Sequence, residues 1–166
     1  MSAVNSELQF EQQIWKWLAD VPDPEIPVVS VVDLGMVRKI NVVDKVVEVD
    51  VSPTYSGCPA TEVIEASIMS KLRDEGIQSV SVKRVLSPPW TTDWITESGR
   101  EKLREYGIAP PVGSASKREL LGKGAVHCPR CGTNQTSVVS EFGSTACKAS
   151  YKCDECLEPF EYFKCI

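Results

Sequence analysis

The chain has 166 residues, room for one ordinary domain and a small module, and 42% of them are hydrophobic, which predicts a packed core. A formal net charge of −5 argues against a protein that coats nucleic acid through a basic face. No apolar run approaches a membrane span, and the first residues offer neither a basic n-region nor a long apolar stretch. A cytoplasmic protein with no membrane partner is therefore expected. Cys58 stands alone, while the other six of the seven cysteines lie between Cys128 and Cys165. In a reducing compartment such clustering points to metal rather than disulfides. The single histidine, His127, removes most Ser-His-Asp and Cys-His mechanisms.

Ser6-Glu7-Leu8-Gln9 reads as a capping box. Phe10, Ile14, Trp17 and Leu18 then share one face of a helix expected to end before Pro22. In Val21-Pro22-Asp23-Pro24-Glu25-Ile26-Pro27, three prolines force an extended loop. Its carboxylates, Asp23 and Glu25, suit metal binding, acid–base work or capping, and capping or solvation is the commoner fate of loop carboxylates. Ser30 to Asp33 is a second capping box, and Gly35 fits a C′ position, so a very short helix is expected there. Met36 to Val42 and Val46 to Val51 form a hairpin pattern turning near Asp44-Lys45. Val47, Val49 and Val51 alternate with Glu48 and Asp50, the signature of a strand with one buried face.

The second strand runs into Ser52-Pro53-Thr54-Tyr55-Ser56-Gly57-Cys58-Pro59-Ala60 and then into a helical pattern expected to reach about Glu75 and stop at Gly76. Proline is favoured at the first helical position, which places Cys58 at or near the N-cap, where unpaired N–H groups and the helix dipole stabilise an anion. The alternative is a small buried core residue, as most free cysteines are. Ile77 to Leu86 reads as a third strand, Ser87-Pro88-Pro89-Trp90 breaks the chain, and a helix starting at Thr92-Asp93 or Thr96 should run to Tyr106 and end at Gly107. Residues 1–110 thus read as one small α/β domain and 111–125, rich in Gly, Ser and Pro, as a linker whose Lys117, Arg118 and Lys123 are most simply solvated.

Residues 126–166 read as a zinc-ribbon-like module built on four cysteines. Cys128, Cys131, Cys153 and Cys156 make two C-x-x-C knuckles, a spacing that lets paired thiolates reach one tetrahedral ion. Thr136 to Glu141 and Phe160 to Phe163 supply short β pairs. So small a module buries little core, and metal binding would drive its folding. Structural zinc is far commoner than rubredoxin-like iron at four thiolates. Cys147 is open to a core, alternative-ligand or redox role, Cys165 to being free, and His127 to a surface position beside the site. Four Lys/Arg against five Asp/Glu in this segment disfavour nucleic acid as a partner.

At Asp23-Pro24-Glu25-Ile26-Pro27, Val32-Asp33-Leu34-Gly35 and Thr54-Tyr55-Ser56-Gly57-Cys58-Pro59-Ala60, residues 8–110 resemble the small domain shared by cytosolic iron–sulfur assembly factors and SufT-type maturation proteins. With Pro88-Pro89-Trp90-Thr91-Thr92-Asp93-Trp94, the knuckle Cys128-Pro129-Arg130-Cys131-Gly132, Phe142-Gly143-Ser144-Thr145-x-Cys147-Lys148-Ala149 and Glu158-Pro159-Phe160-x-Tyr162-Phe163-Lys164, the whole chain is similar to the PaaD family associated with phenylacetyl-CoA epoxidase. The resemblance implies an α+β fold and a non-catalytic accessory role in phenylacetate degradation, maturing the oxygenase through iron or a transient iron–sulfur cluster. It implies that Cys58 handles iron or cluster, with Asp23, Glu25 and Thr54 lining the same pocket. Implied partners are epoxidase subunits, iron–sulfur assembly proteins or a second copy of the chain. Competing expectations are an electron-transfer or structural component of the oxygenase, and a thiol enzyme acting through Cys58.

Overall fold

The structure, a computed structural model, describes residues 2–44, 46–112 and 126–164. Lys45 of the hairpin turn, the linker cations Lys117, Arg118 and Lys123, and Cys165 lie outside the described residues. The chain divides into two compact units, Met1–Trp90 and Thr91–Ile166.

The first unit holds helix α1 (Ser2–Leu18), strands β1 (Val37–Val43) and β2 (Val46–Val51), helix α2 (Thr61–Asp74) and strand β3 (Ser79–Arg84). Helix α1 starts four residues ahead of the expected Ser6 cap, and β3 is shorter than the expected 77–86. The sheet order is β1-β2-β3, with β1 antiparallel and β3 parallel to β2. The parallel pair requires a crossover, which α2 provides. Ile64, Ile68 and Leu72 recur every four residues along α2 and are buried, as are Val47, Val49 and Val51 of β2 and Ile14 and Leu18 of α1. Losing one of these large side chains would cost about 2–5 kcal/mol.

The loop between α1 and β1 is built by polar side chains serving the backbone. Asp23 Oδ1 accepts from Glu25 N at 2.9 Å and Ile26 N at 2.8 Å. Ser30 and Asp33 form the expected reciprocal box, Ser30 N to Asp33 Oδ2 and Asp33 N to Ser30 Oγ, both 3.0 Å. The single turn they start closes as a Schellman motif: Met36 N donates to Val31 O, Gly35 N donates to Val32 O, and Gly35 has φ +65°. With both ends capped after one turn, no regular helix propagates, which is where the structure differs from the short helix expected.

The second unit opens with a 3-10 turn, Thr92–Trp94, and helix α3 (Glu97–Tyr106). Thr96 caps α3 by accepting from Gly99 N at 3.0 Å, and Gly107 ends it at φ +93°. Strands β4 (Ile108–Ala109), β5 (Thr136–Ser140), β6 (Lys148–Cys153) and β7 (Pro159–Phe163) form a sheet in the order β4-β7-β6-β5. Because β4 pairs in parallel with β7, and Ala109 joins the ribbon core with Val126, Ala149, Phe160 and Tyr162, residues 91–109 belong with the ribbon. The unit boundary therefore falls at Trp90 rather than at residue 110.

Candidate functional site

In the first unit the candidate residues sit on loops at one structural position each. Residues 52–60 follow the C-terminal end of β2 and precede α2, the end of a parallel strand where open α/β sheets place ligands. Ser52 fastens the loop's root: its N–H donates to Met36 O at 2.8 Å and its Oγ to Val85 O at 3.0 Å. Cys58 N donates to Tyr55 O, and Cys58 O accepts from both the N–H (3.2 Å) and Oγ1 (2.9 Å) of Thr61. The helix starts at Thr61 with Ala60 as its N-cap residue, so Cys58 lies two residues ahead of the cap and Pro59 is not the first helical residue. Cys58 is half-buried, between exposed Gly57 and Pro59, and a Cβ on Gly57 would meet nothing within 4 Å. Thr54 and Asp23 are buried and Glu25 half-buried. Asp23 does the capping work anticipated for a loop carboxylate. Among the described residues, Cys58, Asp23 and Glu25 do not fall into a group of three or more candidate ligands.

That grouping occurs in the ribbon. The sulfurs of Cys128, Cys131, Cys153 and Cys156 all lie within 4.8 Å of one another. Cys128 and Cys156 are 3.7 Å apart, and Cys131 and Cys153 are 3.6 Å apart. Zinc–sulfur bonds of about 2.3 Å in a tetrahedron place sulfurs roughly 3.8 Å apart, so the four residues fit one ion. Each knuckle is folded by its backbone: Gly132 N donates to Cys128 O and Cys128 N to Thr133 O, both at 2.9 Å, while Cys153 N donates to Glu158 O at 2.9 Å. Gly132 takes φ +77°, as the tight turn requires, and Leu157 occupies the matching place in the second knuckle at φ +62°. Cys156 N also donates to Cys153 Sγ at 3.4 Å, the kind of bond that settles a thiolate.

The electrostatics explain why this cluster calls for a cation. Burial pushes the Cys153 thiol up, but the N–H groups of Cys156 and Glu155 and the sulfurs of Cys156 and Cys131 outweigh it and bring it to about 7. At Cys156 the N–H of Glu158 pulls down, yet burial and the sulfurs of Cys153, Cys131 and Cys128 prevail and carry it up to about 12. One thiolate is accommodated and further ones repel it, so four ionised sulfurs need a bound divalent ion. An ion pair from Arg130 to Glu158 links the two knuckles, but Arg130's side chain is 68% exposed and the pair adds little to stability.

The remaining candidates separate cleanly. His127 is exposed, with Nδ1 3.1 Å from Gly132 O, and stands beside the knuckle rather than in it. Cys147 is buried outside the four-sulfur group, 3.0 Å from Thr145 Oγ1. Two features escape sequence reasoning. Trp90 Nε1 donates to Leu34 O at 2.9 Å across 56 positions. Lys148, almost fully buried, donates to Glu161 Oε2 at 2.8 Å, while Glu161 Oε1 accepts from Ser144 N at 2.7 Å. The Phe142–Ala149 stretch carried the signal for the second network, since its Gly143 and Lys148 surround that carboxylate: a Cβ on Gly143 would lie 2.7 Å from Glu161 Oε1.

Comparison with known proteins bears on both units. Residues 11–84 match the model of an iron–sulfur cluster assembly protein, and residues 113–164 match that of the PaaD zinc beta ribbon domain. A relative from Escherichia coli (strain K12), named provisionally as a component of the 1,2-phenylacetyl-CoA epoxidase, is 51% identical over 93% of this chain and 92% of its own length. An Fe-S protein maturation auxiliary factor from Porphyromonas gingivalis is 34% identical over 63% of this chain and 97% of its own. The crystal structure of a domain of unknown function, DUF59, from Bacillus anthracis covers 57% of this chain and 92% of its own at a TM-score of 0.54 and 24% identity, which supports the fold. No helix among the described residues is long and apolar enough to cross a membrane. With an assembly-type domain, a four-cysteine ribbon and a relative matched nearly end to end, the chain belongs to the PaaD family.

Proposed function

We propose that this chain is an accessory factor that matures the 1,2-phenylacetyl-CoA epoxidase by handing iron or an iron–sulfur cluster to one of its subunits, without catalysing epoxidation itself. The observation that carries this reading is the union, on one chain, of an iron–sulfur assembly domain with the PaaD ribbon, matched along its length by a relative named for the epoxidase. Cys58 is the labile ligand. A single thiol cannot hold a cluster that needs four protein ligands, so the others come from a client subunit, an assembly protein or a second copy, and release follows when the partner's ligands win. The exposed neighbours of Cys58 leave the loop approachable. Asp23 fixes the turn through Oδ1, and Glu25 and Thr54 supply oxygens suited to iron. Cys128, Cys131, Cys153 and Cys156 hold zinc, which here stabilises the ribbon and takes no part in transfer.

The test is to mature the epoxidase subunits with the wild-type chain or with Cys58→Ala and to measure iron and acid-labile sulfide in the purified subunits. Loading that depends on the wild type and fails with Cys58→Ala, while zinc in the accessory chain is unchanged, is the expected result. Equal loading with Cys58→Ala would sink the transfer role. A coloured, redox-active iron lost only in Cys128→Ser would instead favour electron transfer, since zinc is colourless and four thiolates accept either ion.

A further inference from the structure

We propose that the second unit carries a binding pocket, beside the first knuckle, for a small organic carboxylate on an apolar body. A cavity of about 380 Å³ lies there, within the size range of small-molecule sites. Helix α3 supplies Arg100 and Arg104, four residues apart and so on one face of the helix. The knuckle supplies His127 and Pro129, and the chain beyond β4 supplies Pro111 and Val112. Among the described residues, no aspartate or glutamate lines the cavity.

The cationic side is preorganised. Arg100 Nη2 donates to Thr92 O at 2.8 Å and Nη1 to Pro111 O, so two neutral carbonyls hold the guanidinium in place. Neither bond neutralises it, and the fork has five N–H donors in all, which leaves donors for a ligand. Arg104 is paired with Glu101, but both side chains are about half exposed, 48% and 51%, and such a pair is weak enough to yield to a bound carboxylate. His127 Nδ1 lies 3.1 Å from Gly132 O, which holds the imidazole as one wall of the cavity and leaves the carboxylate to the two arginines. A guanidinium fork matches a carboxylate with two parallel hydrogen bonds. Pro111, Val112 and Pro129 would cover the apolar body.

A tetrathiolate zinc site carries a net charge of −2, and the arginines would also offset that charge. The two roles separate experimentally. The zinc-loaded full chain is titrated with benzoate, its neutral isostere benzamide, and inorganic phosphate, with amide NMR shifts and calorimetry as readouts. Benzoate is expected to bind at least tenfold tighter than benzamide and to move the Gly132 amide. Arg104→Gln is expected to weaken benzoate at least tenfold, and Val112→Glu to abolish binding, with zinc content unchanged in both. Arg100 is left intact because its carbonyl bonds hold the unit together. No probe binding, equal affinity for benzoate and benzamide, phosphate binding more tightly than benzoate, or benzoate affinity indifferent to Arg104→Gln would each overturn the proposal.

Discussion

Replacing Glu161 by alanine tests the internal logic of the ribbon. Lys148's side chain is only 5% exposed and its ammonium sits 2.8 Å from Glu161 Oε2, so the substitution strands a buried charge. At that distance the gross attraction is about 6 kcal/mol with an effective dielectric near 20. Desolvation offsets much of this, and removing one partner of a buried pair costs about 3–5 kcal/mol. Glu161 keeps 29% of its side-chain exposure, so water reaches the pair and the lower part of that range applies, about 3 kcal/mol. Its second oxygen also leaves Ser144 N, worth about 1 kcal/mol. The assay is hydrogen exchange of β6 and β7 amides in the zinc-loaded chain, which reads ribbon opening without assuming that both units unfold together. Lys148→Met with Glu161→Leu leaves no buried charge and should recover more than half of the loss. A loss below about 1 kcal/mol for Glu161→Ala, or a double variant as unstable as the summed singles, would refute the reasoning. The pair also sets a pH response. Burial raises the Glu161 carboxyl, but the Lys148 and Ser144 bonds outweigh it and lower it. A carboxyl lower in the folded chain than in the unfolded one stabilises above the unfolded value, and that contribution fades as pH falls through the lower, folded value.

Other predictions follow the same physics. Trp90→Phe leaves Leu34 O without its indole donor and should cost the first unit about 1–2 kcal/mol in urea unfolding followed by circular dichroism. Asp33→Ala removes half of the capping box and should cost about 1 kcal/mol by the same measurement. Leu157 spends its φ of +62° in a region that disfavours branched side chains while staying exposed, so Leu157→Asn should slow ribbon opening by about 1 kcal/mol in hydrogen exchange. Zinc should leave the ribbon as acid protonates the thiolates, and Cys128→Ser should shift that loss to higher pH in a chelator-dye assay whereas Cys58→Ala should not.

The elements that announce themselves locally were legible in the residues. Alternating valines fix β2, Thr96 and Gly107 mark the ends of α3, and two C-x-x-C pairs locate the metal centre. Strand β6 was not, because Lys148-Ala149-Ser150-Tyr151-Lys152-Cys153 has little apolar alternation and becomes a strand only between β5 and β7. Strand β4 is two residues in a proline-bounded tail, and its parallel pairing with β7 is a long-range event no local pattern encodes. The domain boundary moved for the same reason. Around Cys58 the sequence found the loop but not the start of the helix, because Thr61 bonds back to Cys58 O through both its N–H and its hydroxyl and the first helical turn waits until that contact is made.

The strand order β4-β7-β6-β5 has a consequence for how the second unit closes. The latest strand in the chain, β7, is an interior strand, flanked by the earliest strand of the unit on one side and β6 on the other. A chain cut at Glu155 would hold α3, β4, the β5–β6 hairpin and three of the four sulfurs, but not the strand that joins β4 to β6. The four-stranded sheet therefore closes only once residues 159–163 are in place to join β4 to β6, whereas the β5–β6 hairpin can pair without them.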